Sequence, residues 1–121
     1  MNILERRNFP RIDVDYVTVE VYATDIKTHQ TLHVEEICPV INLSENGMRF
    51  KAEHSFSTGQ LLRLTFVLPD SIVIIRTNAI VVHYLKKSRK AGETGVQFKD
   101  LGISEQKLIR HFINKTISAA E

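Results

Sequence analysis

Over "VTVEVYA" hydrophobic and polar residues alternate strictly. Val17, Val19, Val21 and Ala23 share one face, and Thr18, Glu20 and Tyr22 share the other, the period-two pattern of a half-buried strand. The polar stretch "TDIKTHQ" (24–30) predicts a hairpin loop. It leads into a second strand, "TLHVEEICPVINLS" (31–44), where Pro39 calls for a bulge or an edge position because it has no N–H to donate to a ladder. "SENG" (44–47) reads as a turn, with Asn46 and Gly47 able to take positive φ. Beyond it "GMRFKAE" points Met48, Phe50 and Ala52 inward and Arg49, Lys51 and Glu53 outward.

After a loop through Ser57 and Gly59, "LLRLTFVLP" places Leu62, Leu64, Phe66 and Leu68 at period two. The turn signal Pro69-Asp70-Ser71 then opens "SIVIIRTNAIVVHYL", a run too long for one flat strand, for which Thr77 and Asn78 are the expected bend. "KKSRKAGE" marks a solvated tip, and "TGVQFKD" returns as the last strand. From Ser104, the expected N-cap, the period changes: Leu108, Ile109, Phe112, Ile113 and Ile117 fall on one helical face, so a helix is expected over about 104–118. Six or seven short antiparallel strands followed by one amphipathic helix specify an all-β class with one helix. The architecture expected is a small antiparallel barrel with the helix across an opening or edge.

Composition narrows this further. The chain has 121 residues, enough for one domain with its own core, and a formal net charge of +2. So small an excess argues against a surface built throughout for nucleic acid or anionic membrane, and any anion site must be local. Cys38 is the only cysteine, which rules out an intramolecular disulfide and a four-cysteine zinc site, and its apolar surroundings predict a buried thiol. No apolar run approaches the ~20 residues of a bilayer span, and the N-terminus carries no hydrophobic signal core, so no membrane insertion and a cytoplasmic location are expected.

The chain offers no catalytic set. His29, His33, His54, His83 and His111 are scattered without metal-ligand spacing and read as surface or sheet-face residues. Glu35 and Glu36 should point to opposite strand faces and cannot share a substrate. Phosphate-loop motifs are missing, and the basic tip Lys86, Lys87, Arg89 and Lys90 reads as solvated surface.

Two short motifs carry more. Arg7-Asn8-Phe9-Pro10-Arg11 is an R-x-x-x-R with Arg6 beside it, and Pro10 biases Phe9 to extended backbone. Such arginines serve either as a solubilising or nucleic-acid-contacting tail or as a clamp, since guanidinium pairs with phosphate, forks onto guanine O6/N7 and stacks on purines. Asn42-Leu43-Ser44-Glu45-Asn46-Gly47 is an N-x-S-x-x-G at a strand end. Leu43 should enter the core while Asn42 and Ser44 face the other side, there either to cap a turn or to read a guanine edge with amide and hydroxyl. Gly47 permits a tight turn and a close approach.

Taken together, with Arg11 and Asn42 31 positions apart, the two motifs resemble the signature of the PilZ domain family, receptors for the bacterial second messenger cyclic di-GMP. "LPDSIVI", the charged tip, "GVQF" and the closing helix extend the resemblance over nearly the whole chain. It implies a six-stranded antiparallel β-barrel with a C-terminal helix, a basic arm at 1–12 that is mobile without ligand, and a single barrel domain at 13–121. It further implies a ligand, cyclic di-GMP, rather than a cofactor, and a receptor rather than an enzyme. Arg6, Arg7 and Arg11 would clamp guanine and phosphate, Asn42, Ser44 and Gly47 would read the guanine edge, and Arg49, Lys51 and Gly95 would line the site at a second rank. Asn42 stands where the family has aspartate or asparagine, and aspartate would bind more strongly through its charge. The expected partners are the dinucleotide and a downstream protein, the chain itself being monomer or homodimer. Two alternatives stand beside this reading. One is an adaptor of the same fold working by protein contact without nucleotide. The other is a single-stranded nucleic-acid binder, which lacks the aromatic platforms it would need, since tryptophan is missing and most phenylalanines face inward.

Overall fold

A computed structural model describes residues 9–25 and 30–120. Its elements are β1 (Ile12–Asp13), β2 (Thr18–Asp25), β3 (Gln30–Ser44), β4 (Gly47–Ala52), β5 (Leu61–Val67), β6 (Ile74–Lys86), β7 (Gly92–Phe98) and α1 (Ile103–Ala120). All pairings are antiparallel, in the order β1-β3-β2-β5-β6-β7-β4 with a further β3–β4 pairing. That last pairing joins the two sides of the sheet into a closed six-stranded barrel, leaving β1 as a two-residue addition beside β3. Closure removes the exposed edges on which sheets aggregate.

The alternating residues fill the interior as expected. Val19, Val21, Phe50, Leu62, Leu64, Ile75 and Ala79 are fully buried, and Cys38 lies among them. Burial there and the neighbouring Glu36 push the Cys38 thiol far above its ordinary value, so it stays protonated and inert. Phe56, in the loop after β4, is buried against Phe50 with the rings edge to face. In the same loop Gly59, at φ +89°, turns the chain so that its N–H reaches the Val81 carbonyl. α1 packs against β1 and β3, adding Ile109, Phe112 and Ile113 to the core. It begins one residue before Ser104, because the Gly102 carbonyl already accepts the first helical bond, from Gln106 N–H at 2.9 Å. Ser104 therefore lies inside the first turn and is not the N-cap.

Three irregularities differ from expectation. Pro39 sits in register opposite Thr18. Val40 sends its N–H to Val17 O, so a donor at Pro39 would point the other way, and pairing with β4 starts only at Val40. Pro39 thus costs no ladder bond, and the β3–β4 shift falls later, between Val40 and Asn42. The bend expected at Thr77 and Asn78 is also displaced: the β5–β6 ladder runs through both without a break, and the shift lies between Val81 and His83 on the β7 side. Asp100 satisfies these polar residues, accepting from Thr77 Oγ1 (3.0 Å), Asn78 N (2.7 Å) and Asn78 Nδ2 (2.7 Å). Finally, Gly47 is not at positive φ, the left-handed glycine being Gly59. A Cβ at Gly47 would overlap the Val96 carbonyl oxygen, so its lack of a side chain lets β4 lie close to β7.

Candidate functional site

The two bulges decide what the outer wall offers. Inward-facing Cys38 and Val40 set a parity that, continued, would bury Asn42; instead Ile41 and Asn42 are both half-exposed and the core face resumes at Leu43. One extra residue in β3 has turned the Asn42 amide outward. In β6 the inward series Ile75, Thr77, Ala79 and Val81 likewise breaks, and Val82 and His83 are both exposed. These bulged seams bracket the regular β4–β7 ribbon, on which Met48, Phe50, Thr94 and Val96 point inward and Arg49 and Gly95 outward.

Register then assembles one row across four strands: Asn42 opposite Arg49, Arg49 opposite Gly95, and Gly95 opposite His83. Neighbouring strands lie about 4.8 Å apart, so the row spans roughly 14 Å, the scale of a dinucleotide. Gly95 leaves it open in the middle, since a Cβ there would meet only His83, at 3.4 Å from its Cβ. Arg49 is held loosely: its Nη1 lies 3.7 Å from Glu93 Oε1, and its buried Nε has no hydrogen-bond partner. Glu93 is shared with Lys87 at 3.3 Å.

Arg11 reaches the start of this row. Ile12 and Asp13 pair with Leu43 and Asn42, laying the N-terminal segment along the end of β3, and Arg11 Nη1 donates to Asn42 Oδ1 at 3.3 Å. The amide oxygen keeps a second lone pair for a further donor. Arg6 and Arg7 lie outside the described residues, as does most of the arm at 1–12.

The remaining expected residues are placed differently. Ser44, 1% exposed, does not present its hydroxyl to solvent: it donates to Asn46 Oδ1 at 2.6 Å within the turn. Lys51 is exposed one step along β4 from the row and lines a depression of about 590 Å³ with Asp13 and Asp15 on its rim. Glu45, inside the same turn as Ser44, is buried and accepts from Arg110 Nε at 2.9 Å, with Arg110 Nη2 also at 2.9 Å and Gln106 Nε2 at 3.4 Å. The turn is therefore fastened to α1. Sequence reading missed both Glu45 and the placing of His83, since neither the α1 contact nor the β6 bulge leaves a periodic signal. Glu36 also gained a partner: it accepts from Glu53 N–H at 2.7 Å and lies 2.6 Å from His54 Nδ1. Burial raises its pKa, but these hydrogen bonds outweigh that and hold the carboxyl below its ordinary range. Among the described residues no group of three or more His, Cys, Asp or Glu side chains is placed to hold a metal, and no helix is long and apolar enough to cross a membrane.

The sequence model for the PilZ domain matches residues 5–115. The chain belongs to the PilZ domain family. No curated protein sequence matches it. Among solved structures it is similar to the Bacillus subtilis inhibitor of motility MotI/DgrA, with a TM-score of 0.75, 20% identity, and coverage of 93% of this chain and 52% of that one. The complex of K. pneumonia MrkH with c-di-GMP matches with a TM-score of 0.71 and 17% identity over 95% of this chain and 54% of the other. The PilZ domain of Escherichia coli YcgR with c-di-GMP matches with a TM-score of 0.63 and 12% identity over 95% and 94%. The chain thus spans about half the length of MotI/DgrA and MrkH, and nearly all of the YcgR domain.

Proposed function

We propose that this chain is a cyclic di-GMP receptor that regulates a partner protein, acting in the bacterial cytoplasm as a binding domain rather than an enzyme. The observation that carries the reading is the Arg11–Asn42 contact, 3.3 Å across 31 residues, which joins the two motifs at one end of the open row. Structures of MrkH and of the YcgR PilZ domain with c-di-GMP support the choice of ligand. In the bound state Arg6, Arg7 and Arg11 close on phosphate and guanine from above, Asn42 accepts from the guanine N1–H/N2–H₂ edge, and Arg49 and His83 flank the floor opened by Gly95. Charge-assisted and stacking contacts offset the cost of ordering the arm. Ser44 and Gly47 act by holding the turn and the ribbon in place, with Lys51 adding positive potential nearby.

The signal leaves by the turn that carries Ser44 and Gly47. The same turn carries Glu45, so any shift of it is felt by α1 through Arg110 and Gln106. Calorimetric titration with cyclic di-GMP, beside GMP and cyclic di-AMP, tests the proposal. Micromolar affinity, about −8 kcal/mol, is expected for cyclic di-GMP alone. Absence of both heat and thermal stabilisation would sink the receptor reading in favour of an adaptor working without nucleotide.

A further inference from the structure

The wall farthest from the row is built differently. β5 lies three strands from β4 in either direction around the barrel, and its two seams, with β2 and with β6, run without a shift. On its outer face Ile37 is 66% exposed and Ile74 50%, with Val67 and Val73 nearly as open, and Ile72 beside them is 97% exposed. Thr18 completes the stretch: it precedes Val19, whose partner is Phe66, and so falls beside Val67, which is itself opposite Ile74. Half of the large exposed hydrophobics among the described residues are concentrated here, and so dense an apolar patch on a small domain marks a contact surface.

Charge identifies what covers it. Glu20 and Arg76 are both in register with Thr65, one strand to either side, and neither has an ion-pair or hydrogen-bond partner among the described residues. A two-fold axis running close to β5 exchanges the two sides. It brings Glu20 of each copy against Arg76 of the other, Thr18 against Ile74, and Val67 against itself. This end of the wall is complementary to its own rotated image, as a symmetric dimer requires, and Arg63, exposed two residues beyond Thr65 on the same face of β5, stands at the rim, where the twist between the two sheets parts it from its copy. Two sheets stacked this way keep strand directions within the usual ~30°. We propose that this wall is the interface of a homodimer, its occupant a second copy of this chain, which leaves both ligand rows facing outward.

Sedimentation equilibrium on the full chain, from about 1 to 200 µM, tests it. The wild type is expected to dimerise within this range, and Val67→Asp to weaken association by about a hundredfold through an unpaired charge at the axis. Ile72→Asp, in the exposed loop outside the ladders, is the parallel variant with no demand on folding. Glu20→Arg and Arg76→Glu are each expected to weaken the dimer roughly tenfold by setting like charges together, and the double reversal to restore it to about wild-type strength. A protein monomeric throughout, whose apolar wall would then serve some other partner, overturns the proposal. So does a dimer indifferent to both aspartates, or a double reversal that fails to restore association.

Discussion

The β4–β7 ribbon and the wall around β5 belong to one barrel and follow one alternation inside it, yet they present opposite outer faces. Around β5 both seams are regular, and the outer face carries an apolar patch at the Val67–Ile74 end, a row of charge at Glu20 and Arg76, and the exposed Arg63 beyond it. Around β4–β7 both flanking seams are bulged, and the outer face carries Asn42, Arg49, a bare glycine and His83. Regular register propagates the sequence pattern unchanged, whereas a bulge re-aims the residues after it. The polar row exists because two bulges turned Asn42 and His83 outward onto the ribbon that already faced Arg49 and Gly95 out.

The strongest test of that contrast is Gly47→Ala. Its Cβ meets the Val96 carbonyl, a backbone atom that cannot rotate away. The variant should lose about 2–3 kcal/mol of stability and should bind cyclic di-GMP poorly even when folded. Thr65→Ala, at the centre of the other wall, should change stability by less than about 0.5 kcal/mol. A Gly47→Ala protein as stable as wild type would show that the ribbon's close approach to β7 is dispensable.

Next in size is Arg11→Ala. Losing its charge-assisted contacts should cost about 2 kcal/mol of binding, a roughly thirtyfold weaker dissociation constant by calorimetry, with the melting curve unchanged. Wild-type affinity in this variant would remove Arg11 from the clamp.

Gly95→Leu fills the gap between Arg49 and His83 from outside the barrel. Binding should fall about tenfold, with stability changed by less than about 1 kcal/mol because the new side chain points to solvent. A leucine at 95 that leaves affinity intact would mean the ligand does not lie across the row.

The smallest effect concerns pH. Backbone and side-chain hydrogen bonds from Asn78, with one from Thr77, hold the Asp100 carboxyl below its ordinary range, as the bonds to Glu36 do there. A carboxylate depressed on folding stabilises the native state above its unfolded pKa and loses that contribution as pH falls through the folded value. Melting temperature should therefore drop below about pH 4, and less steeply in Glu36→Gln and Asp100→Asn. Parallel acid branches in wild type and both variants would count against this origin.

Much of the fold was legible in the chain. Period-two alternation marked the strands of the barrel and their inward residues, and the change of period after Gly102 marked α1, because side-chain facing within an element depends only on spacing along it. N-x-S-x-x-G and R-x-x-x-R were visible as motifs, though the burial of Ser44 within the turn and the outward orientation of Asn42, which depends on a bulge, were not. Local pattern does not say where an extra residue will be accommodated: Pro39 and Thr77-Asn78 looked like the breaks, yet the shifts fell later in both strands, where on the opposite edge β3 passes from β2 to β1 and β6 runs past the end of β5.

What the sequence by itself determined is the six barrel strands, the core, the helix and the two motifs, since each follows from contacts within a few residues, whereas the short β1 left no periodic signal. Tertiary structure alone decided that Asn42, Arg49, Gly95 and His83 stand in one row and that Arg11 meets Asn42 across 31 positions. Cross-strand register is set by barrel closure and by the bulges that closure accommodates. Both depend on which strands pair, and no periodicity along the chain encodes that.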